Sequence, residues 1–104
     1  MATNQYHEPV EELTPEIRTL TRLILSAMEE LEAIDWYGQR ISVEKDQEVV
    51  NILKNSQKEE MKHFSMVLEK IFRVKPLFKN IAKEILFVDG DIVENGEKAE
   101  DMNS

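Results

Sequence analysis

Two long segments of this chain carry apolar residues at the three- and four-residue spacing of an α-helix. The first covers about residues 17–41, and the second covers about residues 47–74. Thr14, followed by a proline and a glutamate, is a typical helix start, and Asp46 is placed to cap the second segment. Because the polar link at 42–46 is short, the sequence predicts two long helices folded back as an antiparallel hairpin.

The rest of the chain is shorter and more polar. Residues 1–13 are a polar leader, and residues 77–88 have the apolar spacing of a short third helix that follows Pro76. Residues 89–104 carry six acidic side chains and one Lys, which is typical of a disordered tail. The predicted fold class is therefore all-α. Two long antiparallel helices and a short third helix occupy residues 14–88 and form a four-helix bundle only on dimerisation.

Both apolar stripes are interrupted at mid-length by residues that bind metal ions. The first stripe is Leu23, Ala27, Glu30, Ile34, Tyr37 and Ile41, and the second is Val49, Leu53, Ser56, Glu60, His63 and Val67. Carboxylates are almost never fully buried unless they are paired or bound to a cation. Glu60 and His63 are three positions apart, which places both on one helix face. A Glu on one helix and a Glu-x-x-His on the next make half of a di-iron carboxylate site.

Each predicted helix also has a second apolar face that a lone hairpin would leave in water. These faces consist of Ile24, Met28 and Leu31 on the first helix and Met61, Phe64, Leu68 and Ile71 on the second. We therefore expect a two-fold homodimer. Pairing doubles the ligand set to four glutamates and two histidines, the ligand count of a complete di-iron site. In that arrangement Glu60 and His63 bind one iron from each chain, and Glu30 bridges on the axis.

Composition excludes several classes of function. The chain has no Cys, so it has neither a disulfide framework nor a thiolate metal site. A net charge of −8 argues against nucleic acid as a partner. No signal peptide or apolar run long enough for a membrane span is visible, so we expect a cytoplasmic protein without a membrane partner.

Three residues near Glu30 have both a structural and a functional interpretation. Glu29 and Glu32 are typical of a solvated surface, and Tyr37 is typical of core packing with a hydrogen-bonded hydroxyl. Glu29, Glu32 and Trp36 also form a strip one row away from Glu30, where a path that attracts cations would lie. Tyr37 follows Glu30 by seven residues, a spacing that suits a residue supporting a ligand.

Three functions fit the polar residues of the stripes. They bind and oxidise iron, they bind a metal without turnover, or they only fix the register of a helical oligomerisation or adaptor module. The ligand types alone do not distinguish iron from manganese or zinc.

The run MEELEAIDWYGQR at 28–40, followed by KEEMKH at 58–63, resembles the encapsulated ferritins. These are short ferritin-like proteins carried inside encapsulin shells, and the resemblance extends over about residues 7–90, including the leader His7-Glu8-Pro9. It implies a ferritin-like bundle built from two chains. It also implies a ring of such dimers, typically a decamer.

The resemblance further implies an activity and a role for each candidate residue. The family oxidises Fe(II) to Fe(III) with dioxygen at a di-iron centre between subunits, with two iron ions per dimer, and passes the iron on for storage in the encapsulin lumen. By position, Glu30, Glu60 and His63 match its ligands, Tyr37 matches a residue beside the centre, and Glu29, Glu32 and Trp36 match the region that attracts and gates metal ions. The implied partner is the encapsulin shell protein, and the implied location is an encapsulin nanocompartment in the cytoplasm.

Two features depart from the family pattern. Members that travel as separate cargo usually end in a short apolar peptide that contains Leu and docks to the shell, and the final residues EKAEDMNS lack one. This leaves open whether the chain is truncated or belongs to a longer or fused protein. Asn55 stands where a metal-binding His is possible in relatives, which leaves a secondary surface site open as well.

Overall fold

The computed structural model describes residues 5–104, and these residues form helices joined by turns. The four α-helices are α1 (Pro15–Val43), α2 (Gln47–Val74), α3 (Pro76–Ala82) and α4 (Ile92–Met102), and a short 3-10 helix, Val10–Glu12, precedes α1. The predicted all-α class and the two long helices are confirmed. The predicted leader is described only from residue 5 onwards, because residues 1–4 lie outside the described part of the chain. No helix in the described part has an apolar stretch long enough to cross a membrane.

Both long helices begin at the residues that the sequence indicated. The Thr14 side chain accepts a hydrogen bond from the backbone N–H of Ile17 at 3.2 Å. The Asp46 carboxylate accepts from the N–H groups of Glu48 at 2.9 Å and Val49 at 3.4 Å. These bonds satisfy N–H groups that have no partner inside the helix. The two N-cap predictions are therefore confirmed.

The helices α1 and α2 pack as an antiparallel hairpin within the first of two compact units, which ends at Ile71. Glu30 of α1 lies beside His63 of α2, and Ile34 of α1 lies beside Gln57 of α2. Since the numbers rise along one helix as they fall along the other, the two helices run in opposite directions. This direction brings the middle of α1 against the middle of α2.

The first unit buries few side chains. Ala27 and Val50 are 9% exposed and Ile71 is 3% exposed, whereas Ile24, Met28, Leu31 and Met61 are 42–51% exposed. The predicted second apolar face is therefore present on α1 and at Met61. It is narrower on α2 than predicted, because Phe64 and Leu68 are half-buried and Ile71 is buried.

The second unit, Phe72–Ser104, corrects the predicted extent of the third helix. The sequence predicted a helix over 77–88, but α3 ends at Ala82. Beyond it the backbone forms turns in which the Ala82 carbonyl accepts from the N–H of Ile85, three residues later, at 3.0 Å and from the N–H of Leu86, four residues later, at 2.8 Å. Phe87, at φ 61°, has left-handed backbone, which an α-helix cannot contain.

The predicted disordered tail over 89–104 is wrong for most of its length, because residues 92–102 form α4. The Asp91 carboxylate caps this helix by accepting from the N–H of Glu94 at 2.9 Å. Ala99 is completely buried, so the helix packs in spite of its charge. The high content of acidic residues predicted disorder. The helix instead depends on the Asp91 cap and on Ala99, a small residue at its packed face.

We expect Asp91→Ala to weaken α4 by about 1 kcal/mol, because it removes the side chain that accepts from the first turn. Amide hydrogen exchange should then accelerate by about fivefold at residues of α4, while α1 and α2 keep their protection. Asp101→Ala is the matched control, since it removes an acid from the last turn of the same helix. Equal loss of protection in both variants would contradict the assigned cap.

Candidate metal centre

Glu30, Glu60 and His63 meet at the middle of the hairpin. Each offers one donor atom, and these atoms lie within 4.8 Å of one another. The His63 Nδ1 atom is 3.8 Å from Glu30 Oε2 and 3.9 Å from Glu60 Oε2. Glu60 and His63 share a face because they are three apart on α2, and the antiparallel packing brings Glu30 of α1 to that face.

The two carboxyl groups of this cluster repel each other unless a proton or a cation lies between them. A hydrogen bond between Glu30 and Glu60 raises the pKa of Glu30 above its ordinary value of 4.5, and burial and the negative charge of Glu60 raise it further. His63 opposes the rise, and Glu29 adds a smaller repulsion. The cluster therefore holds a proton more readily than an isolated glutamate does.

One chain encloses the cluster only in part. The side chains of Glu30 and Glu60 are 22% and 24% exposed, and that of His63 is 44% exposed. The apolar side chains Met28, Leu31 and Met61, which are close to the ligands in sequence, are also exposed. The donor cluster and its apolar surroundings therefore remain accessible from outside the hairpin.

Two carboxylates and an imidazole suit a divalent transition metal. Bonds of about 2.1 Å to a central ion place neighbouring donors about 3.0–3.5 Å apart. The donors of Glu30, Glu60 and His63 already lie within 4.8 Å, so small side-chain rotations would bring them to a common ion. Three donors leave further coordination positions open, which a second copy of the cluster could fill.

The other predicted site residues lie on α1 outside the three-residue cluster. Glu29 is exposed and Glu32 is half-buried, and Trp36, 49% exposed, borders an open surface depression of about 400 Å³ with Gln39 and Arg40. Tyr37 is half-buried, and the Arg40 guanidinium lies 5.4 Å from the centre of its ring. The predicted strip of Glu29, Glu32 and Trp36 is thus a surface feature, and its role in metal entry stays a prediction.

Two features near the cluster were not identified from the sequence. Gln57, one turn before Glu60, donates a hydrogen bond from Nε2 to the carbonyl of Ile34 at 3.1 Å. Glu59 pairs with Lys62 at 2.8 Å, and this contact lowers the pKa of Glu59. The Glu-x-x-Lys spacing could have identified the second feature. No local pattern indicates the first, because its partner is a backbone atom 23 positions away.

The raised pKa of Glu30 gives the metal-free chain a defined pH dependence. Below pH 4.5 the Glu30 carboxyl is protonated in both the folded and the unfolded chain, so the protonated group stabilises the folded state fully. As pH rises from 4.5 through the higher pKa of the folded state, the stability conferred by that proton is lost. We expect Glu30→Gln to remove this loss, because a neutral amide can donate to Glu60, and to be at least as stable as the wild type at pH 7.

Urea unfolding at several pH values in the presence of a chelator measures this effect. Glu29→Gln is the matched control, since Glu29 repels the same carboxyl more weakly and is exposed. A Glu30→Gln variant less stable than the wild type at pH 7 would show that the two carboxyls do not repel.

Comparison with known proteins places this chain in a family. The EncFtn-like family model matches residues 5–89. A ferritin-like protein of Thermotoga maritima is 43% identical over 91 residues, which are 88% of this chain and 80% of that protein. An encapsulated ferritin-like protein of Rhodospirillum rubrum is 40% identical over 91 residues, which are 88% of this chain but only 65% of the relative.

A solved structure agrees with the assignment. The crystal structure of a protein from Nitrosomonas europaea matches with a TM-score of 0.80 at 43% identity, over 86% of this chain and 98% of that one. The match to the family covers α1, α2 and α3 and ends before α4. The resemblance found in the sequence is confirmed, and the chain belongs to the EncFtn-like family.

Proposed function

We propose that this chain is a ferroxidase of the encapsulated-ferritin type. It oxidises Fe(II) to Fe(III) with dioxygen at a di-iron centre that two chains share. The observation that carries this proposal is the meeting of Glu30, Glu60 and His63 within 4.8 Å on a hairpin that leaves them partly exposed. A di-iron carboxylate site needs four glutamates and two histidines in total, and two copies of this cluster supply that set.

Each ligand has a separate task in this proposal. Glu60 and His63 of one chain would hold one iron ion, and Glu30 would hold iron together with its counterpart from the second chain. Carboxylate oxygen stabilises the higher charge of Fe(III), and neutral imidazole completes the ligand set. Dioxygen accepts the electrons that the iron releases. Tyr37 supports the centre, and Glu29, Glu32 and Trp36 attract and guide Fe(II) towards it.

The energetics indicate that metal binding drives the pairing of chains. About half of the surface of four apolar residues is still exposed, namely Ile24, Met28, Leu31 and Met61. Covering this exposed half contributes about 1 kcal/mol for each residue. Association costs about 4–15 kcal/mol in lost freedom, so this apolar face alone is marginal. The net charge of −8 on each chain opposes pairing further, and divalent cations between the ligands relieve part of it.

The storage part of the proposal rests on family membership. The relative from Rhodospirillum rubrum is named an encapsulated ferritin-like protein. By analogy, the chain acts as a ring of dimers, a decamer in the simplest case, inside an encapsulin nanocompartment in the cytoplasm. It lacks a storage cavity of its own and passes Fe(III) to the encapsulin lumen, where the mineral accumulates.

We expect Glu30→Ala to reduce iron-dependent oxygen consumption by at least about 100-fold, because it removes the bridging ligand. Fe(II) is added aerobically, and an oxygen electrode and the absorbance of Fe(III) follow the reaction together. The ratio of iron oxidised to dioxygen consumed identifies the reduced product.

The matched control for activity is Glu59→Gln, because Glu59 is exposed and tied to Lys62 on the same helix turn. It should keep the wild-type rate. Wild-type turnover in a folded Glu30→Ala variant would refute the proposed centre. Saturable binding of Fe(II) without oxidation in the wild type would show a binding site without turnover.

We expect Fe(II) to shift the metal-free chain towards dimers and larger even-numbered assemblies, since a ligand that binds only the pair stabilises it by mass action. Native mass spectrometry of anaerobic samples with and without Fe(II) measures both the assembly and its metal content. The dimer should contain two iron ions, and His63→Ala should not respond to iron. Equal assembly with and without iron, in both proteins, would instead favour an oligomerisation module whose polar residues fix the register.

A further inference from the structure

We infer that Gln57 is a positioning residue that sets the register between the two helices carrying the ligands. This inference rests on the proposed metal centre and extends it by one residue. Gln57 is not one of the three donor residues of the cluster. Its Nε2 atom instead donates a part-buried hydrogen bond of 3.1 Å from α2 to the carbonyl oxygen of Ile34 on α1.

The ligand geometry depends on how α1 and α2 are aligned along their axes. Glu30 is on α1, whereas Glu60 and His63 are on α2, and apolar contacts between helices have little directional preference. A slip of about 1.5 Å, the rise of one residue, would move Glu30 relative to both other donors. Functional constellations require positioning to within about 0.5 Å.

The hydrogen bond of Gln57 lies where it can prevent such a slip. Ile34 follows Glu30 by four residues, and Gln57 precedes Glu60 by three, so the bond is about one helical turn, or about 5 Å, from the ligands on both helices. Two other side-chain hydrogen bonds on these helices act locally. Gln39 reaches Asp35, and Gln47 reaches Asn51, each within one helix.

Gly38 provides the space for this contact. A Cβ atom at position 38 would lie 3.4 Å from Gln57 Nε2, which is the edge of ordinary contact, so a larger side chain would press on the amide. Glycine inside a helix costs about 1 kcal/mol relative to alanine. An alanine Cβ would still fit opposite Gln57, so the contact limits position 38 to a small residue.

The bond is not needed to satisfy the Ile34 carbonyl. As a residue in the interior of α1, Ile34 also has the N–H of Gly38 available four residues later. An apolar side chain of similar length at position 57 therefore leaves no carbonyl unsatisfied. This separates positioning from folding, because Gln57→Met removes the directional contact while keeping the volume.

The test is an anaerobic titration of the full chain with Co(II), which reports coordination geometry through its visible absorption. We expect Gln57→Met to raise the apparent dissociation constant for Co(II) by about tenfold and to change the visible spectrum. Gln47→Met is the matched control, because it removes a glutamine side-chain bond from an exposed position on the same helix. It should bind Co(II) as the wild type does, and the metal-free melting temperatures of the two variants should agree.

A second variant keeps the inference testable if Gln57→Met folds poorly. Gln57→Asn retains the amide but is one methylene too short to reach Ile34, and it should weaken Co(II) binding by the same factor. Wild-type affinity and spectrum in either folded variant would overturn the positioning role, as would a fall in melting temperature without a change in Co(II) binding.

The Co(II) titrations of these variants distinguish failure of the positioning role from failure of the proposed metal centre. If the wild type binds Co(II) saturably, Glu30→Gln does not, and Gln57→Met equals the wild type, only the positioning role fails. If the wild type and Glu30→Gln bind Co(II) alike, the proposed centre itself is overturned, and the positioning role with it.

Discussion

The close approach of the carboxyl groups of Glu30 and Glu60 is the constraint on which the candidate metal centre depends. The hairpin holds both groups beside His63, and the hydrogen bond to Glu60, burial and the negative charge of Glu60 raise the pKa of Glu30. Repulsion between the two carboxylates lowers the stability of the metal-free chain at neutral pH. A cation bound between them removes that repulsion. The same repulsion that costs stability therefore favours metal binding.

The small size of the chain makes this repulsion tolerable and also limits what one chain can do. A hairpin of two long helices buries few side chains, so its central carboxylates remain partly hydrated and their mutual repulsion is screened. An ion held by three ligands keeps open coordination positions, and the apolar side chains nearby remain exposed. In the proposed dimer, the docking of a second copy against the same face would correct both deficits.

Much of the fold and the cluster could be predicted from the sequence, because both depend on periodic spacing. Thr14 and Asp46 mark helix starts with local chemistry, and the mid-stripe positions of Glu30, Glu60 and His63 identify the cluster without any long-range information. Periodic spacing did not predict the structure where one long-range contact or one unusual local feature determines it.

Three features of the structure were not predictable from spacing. The left-handed backbone of Phe87 lies beyond α3 in a run whose composition favours a helix, and the burial of Ala99 gives order to an acidic segment. The bond from Gln57 to the Ile34 carbonyl connects a side chain to a backbone atom, which leaves no sequence pattern.

The order of events at the proposed centre follows from these contacts. Since Glu30, Glu60 and His63 already converge within one hairpin, a divalent ion can first bind to a single chain. That ion lowers the negative charge of the chain from its formal value of −8. Pairing of chains then becomes more favourable, because the face that docks no longer presents two uncompensated carboxylates. In the proposed function, metal binding and assembly are thus coupled through charge, and the register between α1 and α2 would determine whether the second chain meets a correctly shaped site.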